Sequence, residues 1–434
     1  MSDYAAFLGR KQRVFRGAGI ESADLPPQLY DWQAAITRWA LKKGRCALFE
    51  DCGLGKTFQQ IAWMRALNLP TLILAPLCVA EQTVGEAAKL GVTVEYALNQ
   101  ADADYAVTPF IITNYERLEK FDASRYQAVI LDESSILKSF DGKTRTALIQ
   151  TFKDTPYRLC CTATPSPNDI AELANHAEFL GLMTRQEFLA TWFVHDDAGW
   201  RMKRHAVQPF YRWLASWAIA IRKPSDIGFS DDGFELPPLR IHEHIVEMDG
   251  PTSSLFPELS LSGIRGRLAA RRDSLQARID RVCNIVPEFG QTWILWCGLN
   301  DEADALARTL PGCVNIQGSD SYAEKRGAVE SFLAGTSRII ASKLRIVGYG
   351  MNFQHCHHMA FVGIGDSFEQ YYQGIRRCWR FGQKHPVDAH IVVSDAERAV
   401  VENVKRKEAA HNALSRDLLE HMRDFEREEV EAIA

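Results

Sequence analysis

The run Cys46-Ala-Leu-Phe49-Glu50-Asp-Cys-Gly53-Leu54-Gly55-Lys56-Thr57 decides how this chain is read. Cys46 to Phe49 is a short apolar run of the kind that forms a buried strand, and Phe58 to Ala66 reads as a helix. The glycines between them let the backbone turn tightly, so that its N–H groups and the helix N-terminus face phosphate oxygens. In such a loop Gly53, Leu54 and Gly55 cradle the phosphates, Lys56 neutralises the β- and γ-phosphates, and Thr57 ligates Mg²⁺. The strict G-x-x-x-x-G-K-[ST] pattern fails only at its first position, where Glu50 stands.

Further along, Val129-Ile-Leu-Asp132-Glu133-Ser134-Ser135 places two carboxylates at the C-terminal end of an apolar strand, where α/β folds collect ligands. Asp132 suits Mg²⁺, directly or through water, and Glu133 suits the orientation or deprotonation of an attacking water. Other short apolar runs flank these two: Thr71 to Ala75, Phe110 to Thr113 and Arg158 to Cys161. A second series follows at Thr292 to Trp296, Cys313 to Ile316, Arg338 to Ala341, His358 to Val362 and Ala389 to Val393. Runs of this kind, bounded by helices and turns, predict the buried strands of two parallel α/β sheets. The expected layout is an N-terminal segment 1–28, a first lobe 29–222 with a helical extension from about 166, a linker and helical inter-lobe region 223–290, a second lobe 291–395, and a helical tail 396–434.

At 434 residues the chain is long enough for two or three domains, and 46% hydrophobic with 24% charged residues describes a folded chain. No run of about 18 apolar residues is present, and Met1-Ser-Asp-Tyr4 lacks the layout of a signal peptide. The expectation is a cytoplasmic protein, nucleoid-associated or virus-encoded, with no membrane partner. The ten cysteines include no C-x-x-C pair, so reduced structural thiols and no zinc are expected. His355-Cys-His-His358 reads as the start of a strand, because consecutive strand residues point to opposite faces and cannot all converge on a metal. A net charge of −5 excludes an evenly basic protein that coats nucleic acid, so a polyanion must be met locally. Two local candidates stand out. Trp192, Trp200, Phe210, Trp213 and Trp217 alternate with cations, although the i, i+4 spacing of Trp213 and Trp217 favours a buried helix face. Arg265, Arg267, Arg271, Arg272, Arg278 and Arg281 form a basic helix that either tracks a duplex backbone or presents a solvated face.

Taken together, these stretches resemble the Swi/Snf-family ATPases of helicase superfamily two, from about Leu29 to Val393 and in the family's order. The glycine loop is similar to D-E-M-G-L-G-K-T, which accounts for Glu50, and Asp132-Glu-Ser-Ser135 followed by Lys138 resembles D-E-A-H followed by Lys. Leu29-Tyr-Asp-Trp-Gln33 with Trp39 resembles the opening motif, whose glutamine reads adenine. Ala75-Pro-Leu-Cys-Val79 and Ile112-Thr-Asn-Tyr115 look like the strand-end motifs that touch the nucleic-acid backbone. Leu159-Cys-Cys-Thr162-Ala-Thr164-Pro165 with Asn168 is similar to L-T-G-T-P…N, and Ile221-Arg222-Lys223…Leu236-Pro237 to R-R-x-K…L-P. Gly348-Tyr-Gly350-Met-Asn352-Phe-Gln354 resembles G-x-G-x-N-x-Q, and Gln373-Gly-Ile-Arg376-Arg377-Cys-Trp-Arg380-Phe-Gly382-Gln383 resembles Q-x-x-x-R-x-x-R-x-G-Q. Two places depart from the pattern: Lys343-Leu344 replaces a Ser-Thr pair, and Gln317-Gly318 replaces Asp-Gly.

The resemblance implies two tandem RecA-like lobes with ATP and Mg²⁺ in the cleft between them, and a DNA-stimulated ATPase acting as a double-stranded DNA translocase. It assigns Gln33 and Gly350 to the nucleotide, and Thr162, Thr164, Asn352 and Gln373 to nucleic acid or to coupling. Lys56, Asp132, Glu133, Arg377 and Arg380 carry hydrolysis. Residues i and i+3 of one helix share a face, so Arg377 and Arg380 are expected to reach the γ-phosphate together. Alternatives are a strand-separating helicase, in which a short hairpin lies within 166–290, and a nucleotide-gated scaffold without turnover. The terminal helices near Val400 to Arg427 either dock a protein partner or pack on the second lobe.

Overall fold

All ten anticipated strands form, and each is parallel to its neighbours. A computed structural model describes residues 14–21, 24–76, 79–138, 142–166, 169–196, 199–247, 271–287, 289–347 and 351–431. The chain divides into two units: Met1–Asp232 with Ala410–Ala434, and Gly233–Ala409.

In the first unit β1 (Arg45–Glu50), β2 (Thr71–Ala75), β3 (Glu95–Tyr96), β4 (Phe110–Asn114), β5 (Ala128–Asp132), β6 (Tyr157–Cys161) and β9 (Ala218–Ile221) form one sheet in the order β3-β4-β2-β5-β6-β1-β9. Strands β2, β4 and β5 are buried along their whole length, as sheets covered on both faces require. Strand β9 was not among the expected elements and lies where helix was expected; it pairs with β1, Ala47 opposite Ala218. A second addition within that stretch is the antiparallel hairpin of β7 (Phe193–Asp196) and β8 (Gly199–Met202). Three of the four tryptophans of this stretch are core, Trp192, Trp213 and Trp217 being buried with Phe188 and Phe210 and Trp192 lying 5.7 Å from Trp213, whereas Trp200 on β8 is half-buried.

The helix Arg398–Glu431 places Val400, Val401 and Val404 in the core of the second unit, in line with the expected packing on the second lobe, while its C-terminal end belongs to the first unit. Leu418 and Met422 join the core of the first unit, Lys43 Nζ pairs with Glu429 at 2.6 Å, and Glu426 Oε1 accepts the N–H of Ala220 at 2.6 Å. The last contact satisfies a backbone N–H on the outer edge of β9, and burial raises the Glu426 carboxyl well above its usual range.

The second unit has β10 (Leu239–Val246), β11 (Trp293–Cys297), β12 (Cys313–Ile316), β13 (Ile339–Lys343), β14 (His358–Val362) and β15 (Val387–Ser394), in the order β10-β15-β14-β11-β13-β12. Strand β10 corrects the domain layout: part of the expected linker is an edge strand paired along β15, Leu239 opposite Val387 through Val246 opposite Ser394. Alternate strand residues feed separate cores on the two faces. Leu295, Ala341 and Val362 pack with the helix Leu275–Ile285, whereas Ile294, Ile340 and Phe361 pack with Phe332, Phe368 and Val404.

The basic helix is also corrected, because two of its arginines face the interior. Arg278 is fully buried and Arg271 nearly so, both bonded to the buried Glu302, and Gly363 at φ +80° leaves room for the Arg271 guanidinium. Arg265 and Arg267 lie outside the described residues.

Histidines gather on the same sheet. His244 Nε2 lies 2.9 Å from His390 Nδ1, His242 Nε2 lies 2.8 Å from Asp388 Oδ1, Arg281 reaches His244, and His358 stacks on Trp293. Burial, then neighbouring imidazoles, lower His390 to about 4; His244, His357 and His358 are lowered for similar reasons, Arg281 adding to the effect on His244. Unfolded histidines titrate near ~6.5, so below that value the unfolded chain binds more protons than the folded one. Stability of this unit therefore falls as pH drops from about 6.5 toward 4. Thermal melts at pH 7 and pH 5 should show a lower midpoint at pH 5 and a smaller drop in His390→Asn; identical drops would remove the histidines as the cause.

Candidate active site

Strand β1 ends at Glu50, and the chain turns through Gly53 (φ +90°) and Gly55 (φ +83°) into the helix Lys56–Leu67. That helix has no side-chain cap and no acidic residue in its first turn, so its N-terminal N–H groups suit an anion. Gly55 is required twice, by its left-handed backbone and by Gln33, whose Nε2 would lie 2.4 Å from any added Cβ. Gln33 Nε2 donates to the Leu54 carbonyl at 2.8 Å, and its Oε1 accepts the Tyr30 N–H at 3.1 Å. The expected adenine reader thus touches the phosphate loop directly. Lys56 Nζ donates to the carbonyls of Glu50 (2.7 Å) and Asp51 (3.0 Å), while Thr57 is half-buried at the helix start. A glycine turn, a bare helix N-terminus and a lysine held at the loop fit a bound triphosphate.

Beneath the loop lies Glu50, fully buried, with Oε2 accepting from Gln59 Nε2 at 2.8 Å. Burial raises its carboxyl to about 7, against the opposing effects of Lys56 and Gln59.

Asp132 ends β5 and is buried; its Oδ1 accepts from Gln60 Nε2 at 2.7 Å, and its main-chain oxygen accepts from the Tyr115 hydroxyl at 2.7 Å. Gln60 belongs to the helix that starts at Lys56, so one hydrogen bond ties the acidic turn to the phosphate loop. Glu133 follows at φ +55°, a left-handed conformation uncommon outside glycine. Gln60 and Tyr115 were not singled out from the sequence for these roles. Tyr115, in the stretch that resembles a backbone-touching motif, supports Asp132.

Thr162 and Thr164 follow β6 and are buried. The Thr164 N–H donates to Thr162 Oγ1 at 3.1 Å, and the Thr162 N–H donates to the Leu48 carbonyl of β1. Among the described residues the Thr164 hydroxyl has no hydrogen-bond partner.

In the second unit the helix Phe368–Ile375 stops before the two arginines expected on it. Arg377 and Arg380 lie in the turn that follows, because the Arg377 carbonyl accepts the Phe353 N–H at 3.0 Å and does not continue a helical ladder. Arg377 is buried with Nη1 on the Met351 carbonyl at 3.3 Å, and Arg380 is half-buried. Gln373 is buried on the helix, and Asn352 and Gln354 bond each other in the loop before β14. Gln383 Nε2 ties this loop to the arginine turn by donating to the carbonyls of Gln354, Cys356 and Cys378. Gly350 lies outside the described residues.

Two parallel α/β sheets, the first ending in a phosphate loop joined to an acidic pair, define a nucleotide-binding protein of the P-loop class. The profile of the SNF2-related domain matches residues 32–198, and that of the helicase conserved C-terminal domain matches residues 277–382. The chain belongs to the Swi/Snf-type ATPases of helicase superfamily two, with two tandem RecA-like lobes, and so to the nucleic-acid-dependent ATPase motors. No curated protein matches it. It is similar to a solved structure of the Sulfolobus solfataricus SWI2/SNF2 ATPase core in complex with dsDNA, at 17% identity and a TM-score of 0.44, over 87% of this chain and 90% of that one. No described helix is long and apolar enough to cross a membrane.

Proposed function

We propose that this protein is a double-stranded DNA translocase that hydrolyses ATP. The observation that supports this most is the Gln60–Asp132 hydrogen bond, which joins the phosphate-loop helix to the acidic turn within one unit. Gly53, Leu54 and Gly55 present N–H groups to the triphosphate, Lys56 leaves its loop carbonyls for the β- and γ-phosphates, and Gln33 reads the base. Thr57 and Asp132 would hold Mg²⁺, which when bound supplies charge neutralisation at the phosphates. Glu133 orients and deprotonates the attacking water, and Arg377 and Arg380 contribute to turnover as permanently charged, bidentate groups. Thr162, Thr164, Asn352, Gln373 and Gly350 relay nucleotide state to nucleic acid. Any protein partner of the terminal helix meets the face opposite Leu418, Met422 and Val430, which are buried.

Strand separation is kept as a second reading because the β7–β8 hairpin lies in the stretch where one was sought. Release of a labelled strand from a forked duplex would favour it; ATP use without release favours translocation. A scaffold without turnover leaves the joined lysine and acidic pair unexplained.

The test is an ATPase titration with duplex DNA, single-stranded DNA and RNA at two salt concentrations. Duplex DNA should stimulate most, and the concentration needed should rise steeply with salt as phosphate contacts release counterions. Stimulation by single-stranded RNA alone would overturn the duplex assignment.

A further inference from the structure

The acidic turn is held from a side that the hydrolysis reading does not use. Glu133, at φ +55°, is a non-glycine residue in the left-handed region, and such conformations persist only where the surroundings over-determine them. On the strand side, Tyr115 and Gln60 fix Asp132. On the far side the short 3₁₀ turn Ser134–Lys138 is hydrogen-bonded to the helix Leu173–Phe179. Ser134 Oγ and His176 Nε2 share a hydrogen bond of 3.1 Å, and Asn175 Nδ2 donates to the Leu137 carbonyl at 2.8 Å. Ser134, Asn175 and His176 are all fully buried.

The imidazole has a second neighbour. Its ring meets Phe49 edge-on, centroids 5.2 Å apart, and Phe49 is the residue before Glu50, where β1 enters the phosphate loop. His176 therefore touches both the strand that delivers the loop and the turn that carries the acids. This chain has Ser135 where D-E-A-H has its histidine, and an imidazole reaches the turn from another helix. Burial lowers His176 to about 3, so the ring is neutral throughout the physiological range. A ring serving only as apolar filling would not need a buried hydroxyl for a partner, because a buried polar pair gains little over apolar groups of the same shape.

We propose that His176, with Asn175, is a positioning residue for ATP hydrolysis: through Ser134 it fixes the turn on which Glu133 is presented to the attacking water. The proposal rests on the ATPase reading above. Its consequence is a separation of kcat from KM, since the turn sets the placement of the Glu133 carboxylate and is not part of the adenine-reading segment around Gln33.

Steady-state hydrolysis with saturating duplex DNA tests it in Ser134→Ala, His176→Phe, His176→Asn and the double variant Ser134→Ala/His176→Phe. Misplacement of a reacting group by ~1 Å costs up to about a hundredfold, so kcat should fall roughly ten- to a hundredfold in Ser134→Ala and His176→Phe, with KM for ATP within about twofold of wild type. The double variant should be no worse than the poorer single one, because both remove the same bond. His176→Asn, which retains a hydrogen-bonding group, should recover part of the loss. Wild-type kcat in Ser134→Ala and His176→Phe, or a change confined to KM, overturns the proposal; should His176→Phe not fold, Ser134→Ala with an unchanged melting curve decides alone. A wild-type protein that hydrolyses no ATP defeats the ATPase reading and this proposal together, whereas active wild type with equally active variants defeats only this one.

Discussion

Glu133→Gln is expected to bind nucleotide with wild-type affinity, within about threefold, and to hydrolyse it roughly 10²- to 10⁴-fold more slowly, the usual loss when a general base is removed. The substitution is isosteric, and glutamine meets the same backbone demand at φ +55° as glutamate. Asp132 keeps its bonds to Gln60 and Tyr115, so the cation site and the link to the phosphate loop are unchanged. Only proton acceptance is lost. Binding is read by fluorescence of a labelled nucleotide and turnover by phosphate release. Turnover at the wild-type rate would place the base elsewhere and leave Glu133 as a structural residue.

The second large effect is on stability. Glu302→Ala removes a buried carboxylate that accepts from Arg271 Nε at 2.6 Å, Arg278 Nη1 at 2.7 Å, and the N–H groups of Gly298 and Leu299 at 2.8 and 3.0 Å. Burial works against its charge, but the two guanidiniums outweigh burial and hold the carboxyl below the usual range. Without it two buried guanidiniums lose their main counter-ion, a change that costs about 3–5 kcal/mol. Urea unfolding followed by tryptophan fluorescence, with Trp293 and Trp296 in this unit's core, should show a transition at lower denaturant and an unfolding free energy smaller by that amount. A shift below about 1 kcal/mol would mean that water reaches the pair and replaces the carboxylate.

What the sequence disclosed follows from how far apart the interacting residues lie. Strands such as Ala128–Asp132 and Trp293–Cys297 are buried on both faces, and an uninterrupted apolar run is the signature of that environment. Strand β10 carries Arg240, His242, Glu243 and His244 on a half-exposed sheet edge, so its polar letters beside a Gly/Pro-rich stretch read as linker. Strand β9 has only four residues and follows an aromatic helix, and its neighbour β1 lies about 170 residues earlier in the chain, within the reach of no local pattern.

The site divides in the same way. Gly53 to Thr57 and Asp132–Glu133 were legible because their chemistry is carried by consecutive residues at a strand end. Gln60, Tyr115 and His176 were not, since they meet Asp132 and Ser134 across 72, 17 and 42 positions. The paired arginines were expected on one helix and lie in the turn that follows it. A tertiary hydrogen bond from Phe353 ends the local helix that the spacing suggested.

The central claim is that ATP is hydrolysed at the Gly53–Thr57 loop in response to duplex DNA. Phosphate release by wild type and Lys56→Ala, each with and without saturating duplex DNA, tests it most directly. The account predicts slow release by wild type that duplex DNA accelerates, and none above background in Lys56→Ala under either condition. Release that survives in Lys56→Ala, or a wild type that binds ATP and never releases phosphate whatever the duplex concentration, would contradict it.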